Sequence, residues 1–172
     1  MDKNNQIYHR KLNFRKNRYQ QGSSLLEILV AVFILAIGLL GLAALQANSL
    51  KNINNSQFRT LATTFAYDMA ERMRSNQVGI SEGGYDAITA SVSKPSCGPC
   101  TPVQLSQRDG YQWNQQISLP VMSGGLPTGS GTVTKINNDP LLFAITVAWQ
   151  EQQRDSSGGK VDSADFTLTI QP

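Results

Sequence analysis

The sequence is poor in the side chains that most catalytic and metal sites require. Its 172 residues include a single histidine, His9, and only two cysteines, Cys97 and Cys100. These are too few soft ligands for a structural zinc site. One histidine supplies no set of nucleophile, base and orienting group, and neither a P-loop nor a dinucleotide-binding glycine motif precedes a helix. We therefore expect no enzymatic activity, no cofactor and no metal ion.

Charged residues are also scarce and unevenly placed. They make up 16% of the chain against 40% hydrophobic residues, whereas a disordered chain would be highly charged and poor in apolar residues. The net charge of +3 comes from residues 1–22, which hold six basic side chains and one acidic one, while the rest holds nine basic and eleven acidic ones. A nucleic-acid-binding surface needs lysine and arginine spread over a folded face, so no nucleic-acid partner is evident.

Residues 28–45 lack any charged or strongly polar group and read ILVAVFILAIGLLGLAAL. As a helix, this run of 18 residues spans about 27 Å, close to the roughly 30 Å of a bilayer's hydrocarbon core. The core helix of a soluble protein would show a polar stripe, which is missing here. The run therefore predicts a membrane helix over residues 23–45.

The flanking charges predict how this helix is oriented. Basic residues cluster before the span, and the first charge after it is Lys51, which places the N-terminal side in the cytoplasm and the C-terminal bulk across the membrane. A secretory signal peptide would have a shorter apolar core than this run, and a small-x-small cleavage site would follow it, which is missing here. We therefore expect a single-pass anchor whose N-terminal side is cytoplasmic and whose C-terminal bulk is translocated.

A glycine and a glutamate mark the start of the apolar run. Gly22 separates the basic segment from the helix, and Glu27 interrupts the beginning of the run. An ionisable group beside a membrane segment is costly without a partner and therefore suggests a function, although a carboxylate at the membrane edge can also be solvated by headgroups. The residues GSSLLE at positions 22–27 resemble the class III signal of type IV prepilins and type II secretion pseudopilins.

That resemblance implies a processing reaction and an assembly role. A membrane-embedded prepilin peptidase would cut between Gly22 and Ser23 and methylate the new amine of Ser23, so that residues 1–22 are a cleaved leader. The family usually has phenylalanine at the first mature position, from which Ser23 departs. Pairing of that amine with Glu27 of a neighbouring subunit would neutralise both charges and makes Glu27 the expected subunit-docking residue.

A narrower resemblance covers residues 22–76. The stretches AIGLLGLAALQ at 36–46 and DMAERMRSN at 68–76 are similar to PilV-type minor pilins, the type IV pilus modification proteins. This resemblance implies a minor subunit of a priming or tip complex, with the major pilin, other minor pilins and a tip adhesin as partners. It also implies that the subunit leaves the inner membrane lipid to join the pilus. Major pilins generally carry a proline within the apolar helix, and this sequence has none before Pro95.

The rest of the chain predicts an α+β architecture. Apolar residues continue at helical spacing after Gln46, so we expect one helix over residues 23–77, amphipathic over 46–77. Its stripe comprises Phe58, Leu61, Phe65, Met69 and Met73. The head over residues 78–172 contains two alternating segments, at Leu142–Gln150 and from Phe166, that predict strands. Weaker strands are expected at Val133–Ile136 and Ile88–Val92, with a helix after Thr101 and a loop over Leu119–Gly131. The expected fold is therefore type IV pilin-like, a long helix packed on a small antiparallel sheet.

The segment Cys97-Gly98-Pro99-Cys100 leaves two interpretations open. The same CGPC spacing occurs in thioredoxin-like oxidoreductases, where it follows a strand and opens a helix within a βαβ unit. In an oxidising compartment the alternative is a structural disulfide, and PilV-type heads often carry such a pair.

Three functions remain in competition with the minor pilin. One is a minor pseudopilin of a type II secretion system, which would share the leader, the helix and the sheet. Another is a membrane-anchored thiol oxidoreductase that uses the two cysteines, and the third is a binding module held by an uncleaved anchor.

Overall fold

The computed structural model describes residues 24–153 and 160–172. The predictions for Gly22, Ser23 and the leader lie outside these residues. Within these described ranges there are three helices, α1 (Leu25–Ser75), α2 (Gln77–Ser81) and α3 (Pro102–Ile117), followed by a 3₁₀ turn at Val121–Ser123. The strands are β1 (Ala87–Ile88), β2 (Ser130–Asn138), β3 (Leu141–Gln153) and β4 (Lys160–Ile170).

The chain divides into two compact units, residues 1–44 and 45–172. In the first unit, the described residues 25–44 belong to the apolar part of α1. The second unit contains the remainder of α1, the other helices and the sheet, and from here on we call this whole unit, residues 45–172, the head. The four strands of the sheet follow one another in the order β1-β2-β3-β4, and each pair is antiparallel.

One hydrophobic core holds the head together, and it forms where α1 and α3 cover one face of the sheet. From α1 come Ala62, Ala66, Met69, Ala70 and Met73; from α3, Trp113 and Ile117; and from β3, Phe143, Ile145, Val147 and Trp149. These four β3 residues are the ones that alternation places on a single face. The predicted α+β fold, with a long helix packed on a small antiparallel sheet, is confirmed.

The predicted helix and the observed one differ at the C-terminal end. α1 ends at Ser75 instead of continuing to residue 77. The Asn76 side chain accepts a hydrogen bond of 3.1 Å from the Gly79 backbone N–H and so caps the separate short helix α2. An asparagine side chain that satisfies a free N–H group in this way favours a new helix start over continuation.

The strands also differ from their predicted limits. The prediction of a strand over Ile88–Val92 is wrong beyond Ile88, because β1 has only two residues. β3 and β4 are longer than predicted, since their pairing continues from Phe143 and Ile170 to Gln153 and Lys160. The predicted helix after Thr101 is present, and its capping box joins the Thr101 and Gln104 side chains to each other's backbone N–H groups.

Candidate functional site

The first turn of α1 presents Glu27 to the surroundings. Its backbone N–H donates to the Ser24 carbonyl oxygen at 2.9 Å, which starts the helix. The residue is exposed. Within residues 24–153 and 160–172, no group pairs with its carboxylate. The arrangement leaves this anion available to a cation outside the described part of the chain.

The apolar part of α1 is covered by nothing in the described chain. The most apolar 18-residue window of α1 has a mean hydropathy of 3.0, and none of it is buried. Leu25 is 81% exposed and Leu40 is 72% exposed, where a soluble core helix would have both buried. Burying one such side chain contributes ~2 kcal/mol, so covering the whole run is worth on the order of tens of kcal/mol.

Two glycines lie within this exposed run, Gly38 and Gly41. A Cβ atom added to either would meet no atom within 4 Å, so no contact inside the described chain requires a glycine there. Small residues on one apolar helix let a second helix approach closely. The exposed apolar stripe N-terminal to them comprises Leu25, Ile28, Leu29, Val32, Phe33 and Ala36.

In the head, an ion pair ties α1 to the end of the sheet. The Arg59 guanidinium donates to both carboxylate oxygens of Glu151, at 2.9 and 3.0 Å. The Trp149 indole N–H donates to the same carboxylate at 3.1 Å. Glu151 itself is 2% exposed. The hydrogen bond from Arg59 is the main cause that lowers the pKa of Glu151, while burial opposes it.

A second polar network joins α1, the α2–β1 connection and α3. The Tyr85 hydroxyl donates to the Asp109 carboxylate at 2.6 Å and accepts a hydrogen bond of 3.3 Å from Asn76. Arg72 approaches Asp109 at 3.8 Å. Burial is the main cause that raises the pKa of Asp109, whereas Tyr85 and Arg72 lower it. Burial also raises the pKa of Tyr85 well above its usual value. The carboxylates of Glu151 and Asp109 are largely buried, whereas the Arg59 side chain is exposed. Arg59 and Glu151 line an open groove of about 360 Å³.

The two cysteines lie just before α3. Their sulfur atoms are joined in a disulfide, with 5.0 Å between the Cα atoms. The segment before Cys97 contains no strand back to Ile88, and all four strands described are antiparallel. A thioredoxin-like site would instead place the motif between a strand and a helix of a βαβ unit. The context here is a short bridge in the loop that leads to the Thr101 cap.

Comparison with known proteins bears on the N-terminal region. Residues 17–43 match the family model of the prokaryotic N-terminal methylation motif. No curated protein matches the chain, and no solved structure does. The matched range contains Gly22, Glu27 and most of the apolar run, and it ends before the head begins.

The matched motif indicates the general class of type IV prepilins and pseudopilins. Proteins of this class are structural, and the motif implies processing by a prepilin peptidase and assembly into pilus-like filaments. The uncovered apolar helix fits the membrane anchoring of such a subunit. Together with the helix-on-sheet head, these features fit a building block of a filament.

Sequence reasoning missed the polar networks of the head. Helical spacing does reveal two ion pairs of α1, Asp68–Arg72 and Glu71–Arg74, whose members are four and three residues apart and lie at 2.9 and 2.5 Å. The Arg59–Glu151 pair spans 92 residues of sequence. The one signal in the sequence was Glu151, an acidic residue that directly follows the predicted strand Leu142–Gln150. An acidic side chain that becomes buried there needs a cation partner.

Proposed function

We propose that this chain is a minor pilin of a type IV pilus, a subunit of the priming or tip complex that initiates assembly. A prepilin peptidase cuts between Gly22 and Ser23 and methylates the amine of Ser23. The observation that carries the proposal is the apolar helix that begins with an unpaired carboxylate, Glu27, and is covered by nothing in the described chain. The match to the N-terminal methylation motif over residues 17–43 supports the processing step.

The apolar helix acts first as a membrane anchor and then as the packing element of the filament. Its apolar side chains must be covered in both states, by lipid before assembly and by neighbouring helices afterwards. Withdrawal from lipid without reburial would cost on the order of tens of kcal/mol, so extraction and packing must be coupled. Gly38 and Gly41 support this role, because they leave space on the helix surface where a second helix can approach closely.

Glu27 sets the register between subunits. Cleavage creates a cationic amine at Ser23, one helical turn away from Glu27 along its own chain. A carboxylate among packed apolar helices is strongly unfavourable unless a cation neutralises it. The amine of a neighbouring subunit supplies that cation, so a subunit docks at the one axial position where the two charges meet.

The head supplies specificity toward other subunits. It stands in the periplasm when the N-terminal side of the helix is cytoplasmic, as the distribution of basic residues favours. Its partners are the major pilin, other minor pilins and a tip adhesin. The head contributes to assembly through its surface, since the Tyr85–Asp109 network is buried and serves the internal packing of the head.

Mass spectrometry of the full chain extracted from membranes tests the processing step. The expected mass is that of a chain that begins at N-methyl-Ser23. Recovery of residues 1–22 on the native protein would refute the proposal and favour an uncleaved anchor.

Incorporation into pili tests the role of Glu27. We expect Glu27→Ala to be processed and to remain in the membrane but to be lost from sheared pili. Glu82→Ala is the matched control, because Glu82 is an exposed carboxylate of the head. Wild-type levels of Glu27→Ala in pili would contradict the register role.

A minor pseudopilin of a type II secretion system is the second candidate, because the matched motif is shared by both kinds of subunit. Crosslinking of the full chain in its native membrane distinguishes the two. Capture of pilus subunits supports the minor pilin, and capture of secretion-system pseudopilins supports the alternative.

A further inference from the structure

The sheet of the head has one long free edge. In the order β1-β2-β3-β4 the outer strands are β1, which has only two residues, and β4, which has eleven. Within residues 24–153 and 160–172, no backbone group of another segment bonds to the outer side of β4. A long edge strand presents a row of unpaired N–H and C=O groups, with which another extended chain can pair.

The register of the sheet shows which residues of β4 direct these groups outward. The Gln150 N–H donates to the carbonyl of Pro127, which precedes β2, at 3.0 Å and therefore points away from β4. Both backbone groups of one residue point to the same side of an antiparallel strand. Ser163, the β4 residue opposite Gln150, therefore has its N–H and C=O groups on the free edge. By alternation, the outward residues of β4 are Val161, Ser163, Asp165, Thr167 and Thr169, and all five are exposed.

Two of the usual protections of an edge strand are missing from β4. Natural sheets block their edges with proline, with a bulge or with charged side chains. β4 contains no proline, and its pairing with β3 has no register shift. The charged residues that follow Lys160 in this strand are Asp162 and Asp165. The edge is therefore open to pairing, and beyond its first residue it carries charge of one sign.

The two carboxylates of β4 have no cation partner in the described part of the chain. Asp162 lies directly opposite Glu151 in the ladder, and like charges in that position are destabilising. Arg59 binds both carboxylate oxygens of Glu151 and makes no ion pair with Asp162. The Asp162 carboxylate accepts only the N–H of the adjacent Ser163, at 3.1 Å. A basic side chain from another polypeptide would therefore relieve an uncompensated negative charge at this edge.

The open groove of about 360 Å³ that Arg59 lines reaches the same edge. Ala164 and Phe166 line it from the face of β4 that is turned to α1, and Ser163 and Asp165, which alternate with them, line it as well. Alternate side chains of a strand added to β4 would point over this groove. In such strand addition, main-chain hydrogen bonds supply affinity and a groove for alternate side chains supplies specificity.

We propose that β4 pairs with an extended segment of a neighbouring subunit that carries basic side chains opposite Asp162 and Asp165. These two basic residues are three positions apart in the added strand, one on each of its faces. A second copy of this chain is a poor occupant, because pairing of two β4 strands would bring the carboxylates of both copies onto one ladder. The proposal rests on the proposed function and deepens it, because it names the surface through which the head selects a partner.

Binding of a synthetic peptide to the full chain in detergent tests the strand addition. The probe is a fluorescent nine-residue peptide of alternating valine and threonine, with lysine at its fifth and eighth positions so that antiparallel pairing with residues 161–169 places the lysines opposite the two aspartates. We expect this peptide to bind and to slow amide hydrogen exchange at the outward residues of β4. The same peptide with glutamate at both positions should bind about tenfold more weakly. No binding of the lysine peptide, or equal binding of the two peptides, would refute the proposal.

Two substitutions at one position test the backbone contact. Thr167→Pro removes an outward N–H group, which an edge strand tolerates, whereas Thr167→Val keeps that group. The two variants are matched, because both lose the hydrogen bond between the Thr167 and Thr146 hydroxyls. We expect Thr167→Pro to bind the lysine peptide about tenfold more weakly than Thr167→Val, and equal affinities would contradict strand addition. If Thr167→Pro fails to fold, a lysine peptide N-methylated at its odd positions replaces it, and undiminished binding of that peptide to the wild-type chain would be equally decisive against the proposal.

Sheared pili test whether the partner is a neighbouring subunit. We expect Thr167→Pro to be depleted from pili and Thr167→Val to be incorporated at the wild-type level. Equal incorporation of the two variants would overturn the assignment of the partner, even where the peptide binds. A native chain that retains residues 1–22 would refute the proposed function, and with it the identity of the partner. Absence of peptide binding by a correctly processed chain would refute strand addition alone, so the two failures are distinguishable.

Discussion

Removal of one buried hydroxyl group tests the polar network of the head. In Tyr85→Phe, the Asp109 carboxylate loses a hydrogen bond of 2.6 Å and keeps Arg72 at 3.8 Å, which is beyond hydrogen-bond length. A hydrogen bond to a charged group contributes about 1.5–3 kcal/mol net. The Asn76 amide retains its bond to the Pro102 carbonyl at 2.9 Å, so the loss should be confined to Asp109. We expect a destabilisation of about 2 kcal/mol at neutral pH.

The pH dependence separates this explanation from simple loss of packing. Burial raises the pKa of Asp109 in the folded state, so folding favours its protonated form, and this contribution to stability is lost as pH rises through the raised value. Tyr85 acts in the opposite direction by stabilising the charged form. The cost of Tyr85→Phe should therefore shrink in acidic buffer, where Asp109 is protonated and the lost bond is weaker.

Thermal and denaturant unfolding of the full chain in detergent, followed through head aromatic signals, measures both effects. A loss of about 2 kcal/mol lowers the midpoint temperature by roughly 4–8 °C for a chain of this size. Tyr67→Phe is the matched control, because Tyr67 is 52% exposed and should tolerate the same change. An unchanged midpoint at neutral pH, or an equal loss in neutral and acidic buffer, would refute the assigned role of the Tyr85–Asp109 bond.

Three other substitutions probe separate features of the head. Gly131→Ala would place a methyl group against the buried tryptophan ring of α3 and should lower the free energy of unfolding by about 1–3 kcal/mol. Gly98→Ala is the control, because its methyl group would meet no atom within 4 Å, and it should be neutral in the same unfolding assay. Glu151→Gln should lower stability at neutral pH and flatten the acid limb of the pH–stability curve. Because folding lowers the pKa of Glu151, its ionised carboxylate stabilises the fold above the ordinary carboxyl pKa, and this stabilisation is lost as pH falls through the lowered value. An unchanged acid limb in Glu151→Gln would contradict this explanation. Replacement of Cys97 and Cys100 by serine should lower the free energy of unfolding by at most about 2 kcal/mol, since the disulfide closes a small ring, and should leave piliation intact. Insulin reduction by the wild-type chain at a thioredoxin-like rate would contradict a structural role for the disulfide.

The sequence alone predicted the features that depend on local periodicity. Side chains repeat every 3.6 residues on a helix and every two on a strand, so the Met69–Met73 stripe and the buried face of β3 were readable without a structure. The capped start of α3 was also readable, because Thr101 and Pro102 act on their own backbone. The apolar helix and the glycine–glutamate motif depend on composition within a short window, so both are visible in the sequence.

Element limits depended on partners that the local sequence does not contain. β3 and β4 continue as far as their mutual pairing does, to the Gln153–Lys160 pair, where local composition suggested earlier ends. At the end of α1, the Asn76 side chain holds the Gly79 N–H and the Pro102 carbonyl, the latter 26 residues away. The first bond is local, but the second depends on a residue that the sequence around Asn76 does not contain.

The sequence by itself determined the apolar helix that opens with a carboxylate and the apolar stripe that needs a sheet to cover it. Only the tertiary structure decided which polar groups are buried together and which apolar groups stay uncovered. Arg59 meets Glu151 across 92 residues, and Val121 lines a groove beside Lys51, because packing of α1 on the sheet brings distant segments together. Such contacts are set by the three-dimensional path of the chain, and no periodicity within a local window encodes them.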